Sequence, residues 1–255
     1  MSDSSRAAFR RVLLDAGATG AIAVQPLDGG TPVTVGSLDS PYAWSSIKPV
    51  IVARLLSEVG GPNGLSVQQR DRARAALTAS DNAAAMALFE DLAGRHGGTV
   101  GAAAAMTEML HSAGDSATQV SAVGRAGFSP YGQTLWSVAA QTRFMSSLAR
   151  GCLLDQASTT YLLGLMNQVV PDQRWGFGSL PSVSALKGGW GPDSGGGYLV
   201  RQMGLLSTPS GRLLAFAAAV RPSDGAFGSG TVVLGKIAAW AQHQPPAAAP
   251  SRACG

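Results

Sequence analysis

The chain has 255 residues, of which 45% are apolar and only 13% charged, with a net charge of +4. Disordered chains are charge-rich and apolar-poor, so this composition excludes one and supplies a full core, as one large domain or two closely packed lobes. No apolar run reaches the length of a membrane span; the arginines are scattered, and the densest group, "RDRAR" at residues 70–74, reads as a solvated helix face rather than a nucleic-acid patch.

In chain order, residues 5–16 read as an amphipathic helix with Phe9, Val12, Leu13 and Leu14 facing inward. "GAIAVQPLDGGTPVTVGS" alternates around a "DGG" turn, a β-hairpin signal. The stretch "YAWSSIKPVIVARLL" opens a helix running to about Val59, and Ser66 with Gln69 forms a capping-box pattern for a helix through Ala79. "DNAAAMALFEDLAG" and "VGAAAAMTEMLHSAG" are further helices; residues 115–133 form a long loop; "TLWSVAAQTRFMSSLARG" and "ASTTYLLGLMNQVV" are helical again. Three strands follow, "SVSALKGGWG", "GYLVRQMGLLS" and "RLLAFAAAVR", then a closing helix "GTVVLGKIAAWAQHQ". This order implies an α+β fold: an antiparallel sheet flanked by the N- and C-terminal helices, with an all-helical second lobe. The expected organisation is one domain over 1–245, its α/β lobe from 1–44 and 181–245 and its helical lobe from 45–180, with a flexible tail at 246–255.

Cys254 lies in that Pro/Ala-rich tail, so a structural disulfide with Cys152 is not expected. Three histidines, none at a metal-ligand spacing, imply no metal site, and nothing implies a cofactor. The N-terminus lacks the apolar core of a signal peptide, which leaves either a cytoplasmic protein or a chain that begins after a removed signal.

Lys48 is one of only three lysines, and it heads into the apolar run "PVIVARLL". Burying an ammonium is unfavourable unless it is paired or deprotonated, so such a lysine usually has a chemical task. Three short motifs fall in order: Ser45-Ser46-Ile47-Lys48, Ser80-Asp81-Asn82 and Lys187-Gly188-Gly189. Singly, each has a plainer reading, and singly that reading wins: an N-cap with a snorkelling lysine, a capping sequence, and a strand-to-turn signal. Together the balance reverses, because two of the three lysines occupy the two positions that require lysine. The ordered set resembles the S-x-x-K, S-D-N and K-T-G pattern of the penicillin-recognising serine hydrolases, most of all the class A β-lactamases, over nearly the whole chain.

The resemblance implies a fold and roles. Ser45 is the nucleophile; Lys48, one helical turn on, is its base; Ser80 carries a proton to the leaving group. Lys187 biases Ser80 and attracts an anion, and Asn82 positions substrate and Lys48. The Ser45 amide and that of Gly189 or Trp190 form an oxyanion hole, and Arg201 on the next strand binds a substrate carboxylate. The plainer reading of Arg201 is an exposed strand arginine. The implied partner is a small-molecule or peptide substrate, anionic ones included, with the protein a monomer.

The departures are equally specific. Gly188 stands where a hydroxyl is needed, the segment between the Ser-Lys pair and S-D-N is short, and Pro49 follows Lys48 directly, so the helix must begin near Ser45. Class A enzymes place a deacylating glutamate in the loop after "HSAGD"; residues 115–140 contain none, their only acid is Asp115, and the aligned site falls near Gly124 and Arg125. The first reading is therefore a serine acyl-enzyme former acting on peptide, ester or β-lactam substrates with poor β-lactam turnover. The second is an inactive descendant binding a small or peptidoglycan-like ligand, and the third a true β-lactamase with a relocated base.

Overall fold

The computed structural model describes residues 1–38, 41–193, 195–243 and 254. Five strands, β1 (Ala18–Pro26), β2 (Val33–Gly36), β3 (Val183–Pro192), β4 (Tyr198–Ser207) and β5 (Leu213–Pro222), form one sheet in the order β2-β1-β5-β4-β3. Every neighbouring pair is antiparallel. With the helices below this makes the α+β arrangement expected from the element order.

The run "LLAFAAAV" in β5 shows how sequence sorts the two faces. Leu214, Phe216, Ala218 and Val220 pack with the terminal helices α1 (Asp3–Asp15) and α8 (Phe227–Ala241), while Ala215, Ala217 and Ala219 face the helical half. Period-2 alternation with alanine on one side lets a helix lie close to the strand. That helix is α6 (Val138–Ala149), whose Thr142 hydroxyl reaches Ala23 O on β1. α1 begins at Ser2, whose hydroxyl accepts from Ser5 N–H, and buries Phe9 and Leu13 with Val12 half-buried. Leu14, expected inside, is 76% exposed, because one residue's rotation carries it past the buried stripe.

Between β2 and β3 run α2 (Lys48–Val59), α3 (Val67–Thr78), α4 (Asn82–Arg95), α5 (Thr99–Ser112), α6 and α7 (Gln156–Asn167). α2 is central and almost wholly buried, and it stops at Gly60 in the left-handed region (φ 74°). The Ser66–Gln69 capping box is formed in full at the start of α3. Between α5 and α6 the long loop is closed at its base by Asp115, which accepts from Thr118 N–H and from Trp136 Nε1 at 3.1 Å. Among the described residues no helix is long and apolar enough to cross a membrane.

Cys152 and Cys254 form a disulfide across 102 residues, with Cα atoms 5.3 Å apart. This corrects the expectation of unpaired cysteines: the composition of a tail does not say where its end lies, and the far end of this one returns to the turn between α6 and α7. The rest of the expected flexible tail, from 246 on, lies outside the described residues.

Candidate active site

Three segments distant in sequence meet at one place. The first is the turn into α2. Trp44 adopts a left-handed backbone (φ 49°), uncommon for a bulky residue, and opens a 3₁₀ turn, Trp44–Ile47, that runs directly into α2. Pro49 falls in the first turn of α2, where its missing N–H is not needed, and Lys48 N–H still donates to Ser45 O. Ser45 and Lys48 are therefore one tight turn apart despite the proline.

The second segment is β3 itself. A Cβ on Gly189 would lie 2.7 Å from Ser46 N and 3.0 Å from Ser45 N, so only glycine lets the strand backbone approach the turn this closely. A Cβ on Gly191 would lie 2.5 Å from the Trp44 ring, which seats that indole against the strand. Gly188 faces the indole of Trp175, whose Cζ2 stands 2.7 Å from where a Cβ would be; neither a side chain nor a hydroxyl fits there unless the indole moves.

The third is the junction of α3 and α4. Ser80 is left-handed (φ 61°), and Asp81 caps α4 by accepting from Ala84 N–H at 2.7 Å. Lys48 Nζ donates to Ser80 O at 2.6 Å, Asp81 O at 3.1 Å and Asn82 Oδ1 at 2.8 Å. Lys187 Nζ donates to Ser80 Oγ and to Gly188 O, each at 2.8 Å. Both ammonium groups are taken out of water. Burial brings Lys48 down from the usual 10.5 to about 7, against the opposing pull of the Asp81 charge. Burial, and secondarily the charge of Lys48, holds Lys187 well below the usual value.

Ser45, Ser80, Asn82 and Trp190 open onto one cleft of about 690 Å³. Ser45, Lys48, Ser80, Asn82, Lys187, Gly189 and Trp190 thus assemble in one place. Arg201 does not join them. It is wholly buried beneath the turn that carries Ser45, donating to Pro41 O (2.9 Å), Tyr42 O (2.8 Å), Trp136 O (2.8 Å) and Gln141 Oε1. Gln141 in turn donates to Ser46 Oγ at 2.7 Å. Arg201 is neither a carboxylate ligand nor an exposed strand arginine, because β4 is covered on both faces and the guanidinium is already bonded to protein oxygens.

The loop between α5 and α6 contributes Phe128 and Ser129 to the cleft. Its one acid, Asp115, is buried and occupied at the loop's base. Arg125 stacks 4.9 Å over the Phe128 ring and 5.4 Å over that of Trp44, and donates to Gln133 Oε1 and to Pro192 O at the end of β3. Among the described residues no group of three or more His, Cys, Asp or Glu could hold a metal ion.

The sequence does not single out Trp44, Phe128, Tyr198, Trp175 or Gln141. Two of these carried a signal: a tryptophan directly before the serine of S-x-x-K, and a glutamine inside the otherwise buried face of "VAAQTRF".

The profile of the beta-lactamase enzyme family matches residues 60–242, a span that begins after Ser45 and Lys48 and includes Ser80, Asn82 and Lys187. No curated protein matches the sequence. Among solved structures, the TLA-1 extended-spectrum beta-lactamase superposes with a TM-score of 0.76 at 17% identity, over 93% of this chain and 96% of that one. A beta-lactamase from Chitinophaga pinensis gives 0.74 at 19% identity over 93% and 98%, and the TLA-3 extended-spectrum beta-lactamase 0.72 at 16% over 94% and 98%. At such identities the likeness to these structures is one of fold.

Proposed function

The chain belongs to the beta-lactamase enzyme family and has the class A fold, and we propose that it is a serine hydrolase that forms an acyl-enzyme at Ser45 and turns over β-lactams poorly. The observation that carries this reading is the pair of buried lysines converging on the Ser80 turn behind a serine-lined cleft. Lys187 holds Ser80 Oγ, Lys48 holds the backbone of the same turn, and Ser80 and Ser45 both line the cleft.

A serine hydroxyl attacks a carbonyl only when a base takes its proton. Lys48, with a pKa near 7, exists partly as a neutral amine at neutral pH. All three hydrogens of its ammonium form are donated, to Ser80 O, Asp81 O and Asn82 Oδ1, so taking the Ser45 proton requires the amine to turn from one of these acceptors toward Ser45. Ser80, held by Lys187, hands a proton to the leaving group. Donors for the oxyanion are the Ser45 and Trp190 amides, on the two backbones that Gly189 lets approach. With its Oδ1 bonded to Lys48, Asn82 keeps its amide N–H groups to position substrate. The substrate is a small molecule or peptide, and the protein acts as a monomer.

Deacylation lacks its part. Residues 115–140 contain no glutamate, Asp115 is buried in other bonds, and Arg125 is a cation. Losing a general base costs roughly 10²–10⁴ in rate. Intact-protein mass spectrometry after incubation with penicillin tests the proposal. One long-lived adduct is expected, mapped to the peptide containing Ser45 and absent in Ser45→Ala. Turnover of many equivalents without an adduct points instead to a relocated base. No reaction points to a ligand-binding descendant, the reading that Gly188 beside Trp175 favours.

A further inference from the structure

We infer that the cleft selects an uncharged acyl group bearing an aromatic ring, in preference to anionic substrates; this rests on the acyl-enzyme reading and deepens it. The walls come first. Trp44, Met86, Phe128, Trp190, Pro192 and Tyr198 supply them, and the other polar side chains of the lining are serines and Asn82. Among the described residues lining the cleft, none carries a formal charge.

Next, the rings are held from behind. Trp44 sits against Gly191 and edge-on to Phe128 at 5.1 Å. Trp190 meets Trp175 edge-on at 5.8 Å and Phe227 at 5.2 Å, and Tyr198 reaches the same Phe227 at 6.3 Å. Rings fixed in this way offer edges and faces to an incoming aryl group at little loss of side-chain entropy.

Last, the nearby cations are engaged. Lys187 bonds Ser80 and Gly188, Lys48 bonds the turn at 80–82, Arg125 bonds Gln133 and Pro192, and Arg201 is buried among carbonyls. A carboxylate entering the cleft gives up water and meets rings and hydroxyls in return, which disfavours it.

The chemistry balances with ordinary esters. Ser45 Oγ bonds to the acyl carbon, the carbon–oxygen bond to the leaving group breaks, the leaving oxygen takes the electron pair, and the hydroxyl proton passes to Lys48. Water later cleaves the acyl-serine to a carboxylic acid and free Ser45.

The test uses the purified full chain with three 4-nitrophenyl esters: phenylacetate, acetate and 4-carboxyphenylacetate. Nitrophenolate release and intact mass are followed together, with rates corrected for spontaneous hydrolysis. Phenylacetyl transfer to Ser45 is expected to be at least about tenfold faster than either acetyl or carboxyphenylacetyl transfer. Phe128, at 39% exposure on a loop, can be truncated without opening the core. Phe128→Ala should shrink the phenylacetyl-to-acetyl ratio by about threefold to tenfold. Equal rates for the three esters, or a faster carboxylated ester, overturn the inference while leaving the acyl-enzyme reading intact. Failure of every ester to label Ser45 overturns both.

Discussion

Lys48, as the proposed base and as a buried amine, has a pH signature of two parts. As a base it must be neutral, so acylation of Ser45 should rise with pH to a plateau, with a midpoint near its pKa of about 7. As a buried amine its folded pKa lies below the usual 10.5, so between the two values the unfolded chain binds more protons. Stability should therefore rise with pH over that window, by at most about 1.4 kcal/mol per pH unit, and the rise should shrink in Lys48→Met. Urea melts from pH 6.5 to 9.5 on both proteins check this; parallel pH curves would show that Lys48 is not proton-shifted on folding. Arg201→Ala makes the opposite kind of prediction. It leaves several buried oxygens without a donor, at about 1–3 kcal/mol each, so a loss of at least ~3 kcal/mol in stability is expected. Its effect on an acid and on the methyl ester of that acid should be equal. Ser45, Lys48, Ser80 and Lys187 were legible because scarce lysines sit at fixed spacings in short motifs. The place of Arg201 was not, because strand alternation says which face a residue occupies and not what covers that face.

At the scale of elements, the legible parts are those whose chemistry is local. Ser66 with Gln69 specified the start of α3, and "DGG" specified the hairpin, because each needs only neighbours in sequence. The approach of β3 to the turn that carries Ser45 needs residues more than a hundred positions apart, and "KGG" alone gives no reason for its second glycine. The structure supplies that reason, and it can be tested against another glycine. Gly189→Ala puts a Cβ 2.7 Å from Ser46 N and 2.9 Å from Ala43 O, both backbone atoms, so β3 or the turn must move. A shift of even 1 Å in reacting geometry can reduce rate about 10²-fold, so acylation should fall by at least tenfold. Gly235→Ala, in the middle of α8 with nothing near its Cβ, should instead stabilise the protein by roughly 0.5–1 kcal/mol and leave acylation unchanged. If Gly189→Ala acylates like wild type, the strand and turn are not in the tight contact that an oxyanion hole between them requires.

At the scale of the whole molecule, one covalent link ties the two ends of the architecture together. α8 packs against the sheet, yet the chain beyond it returns to Cys152, in the turn between α6 and α7 of the helical half. Two cysteines 102 residues apart carry no information about distance, which is why the pairing could not be read from sequence. Its energetic effect follows from loop closure: constraining an unfolded chain over about 100 residues is worth up to ~4.7 kcal/mol in the entropy model, with ~2–4 kcal/mol typical. Reduction, or Cys254→Ser, should lower stability by about that amount. Because neither cysteine belongs to the cleft, the acylation rate of Ser45 at 25 °C should not change. The oxidised protein should also resist alkylation by maleimide until it is unfolded and reduced. Two maleimide adducts on the native, unreduced chain would contradict the bond. A Cys254→Ser melt that overlays the oxidised wild type would instead show that the closed loop contributes nothing to stability.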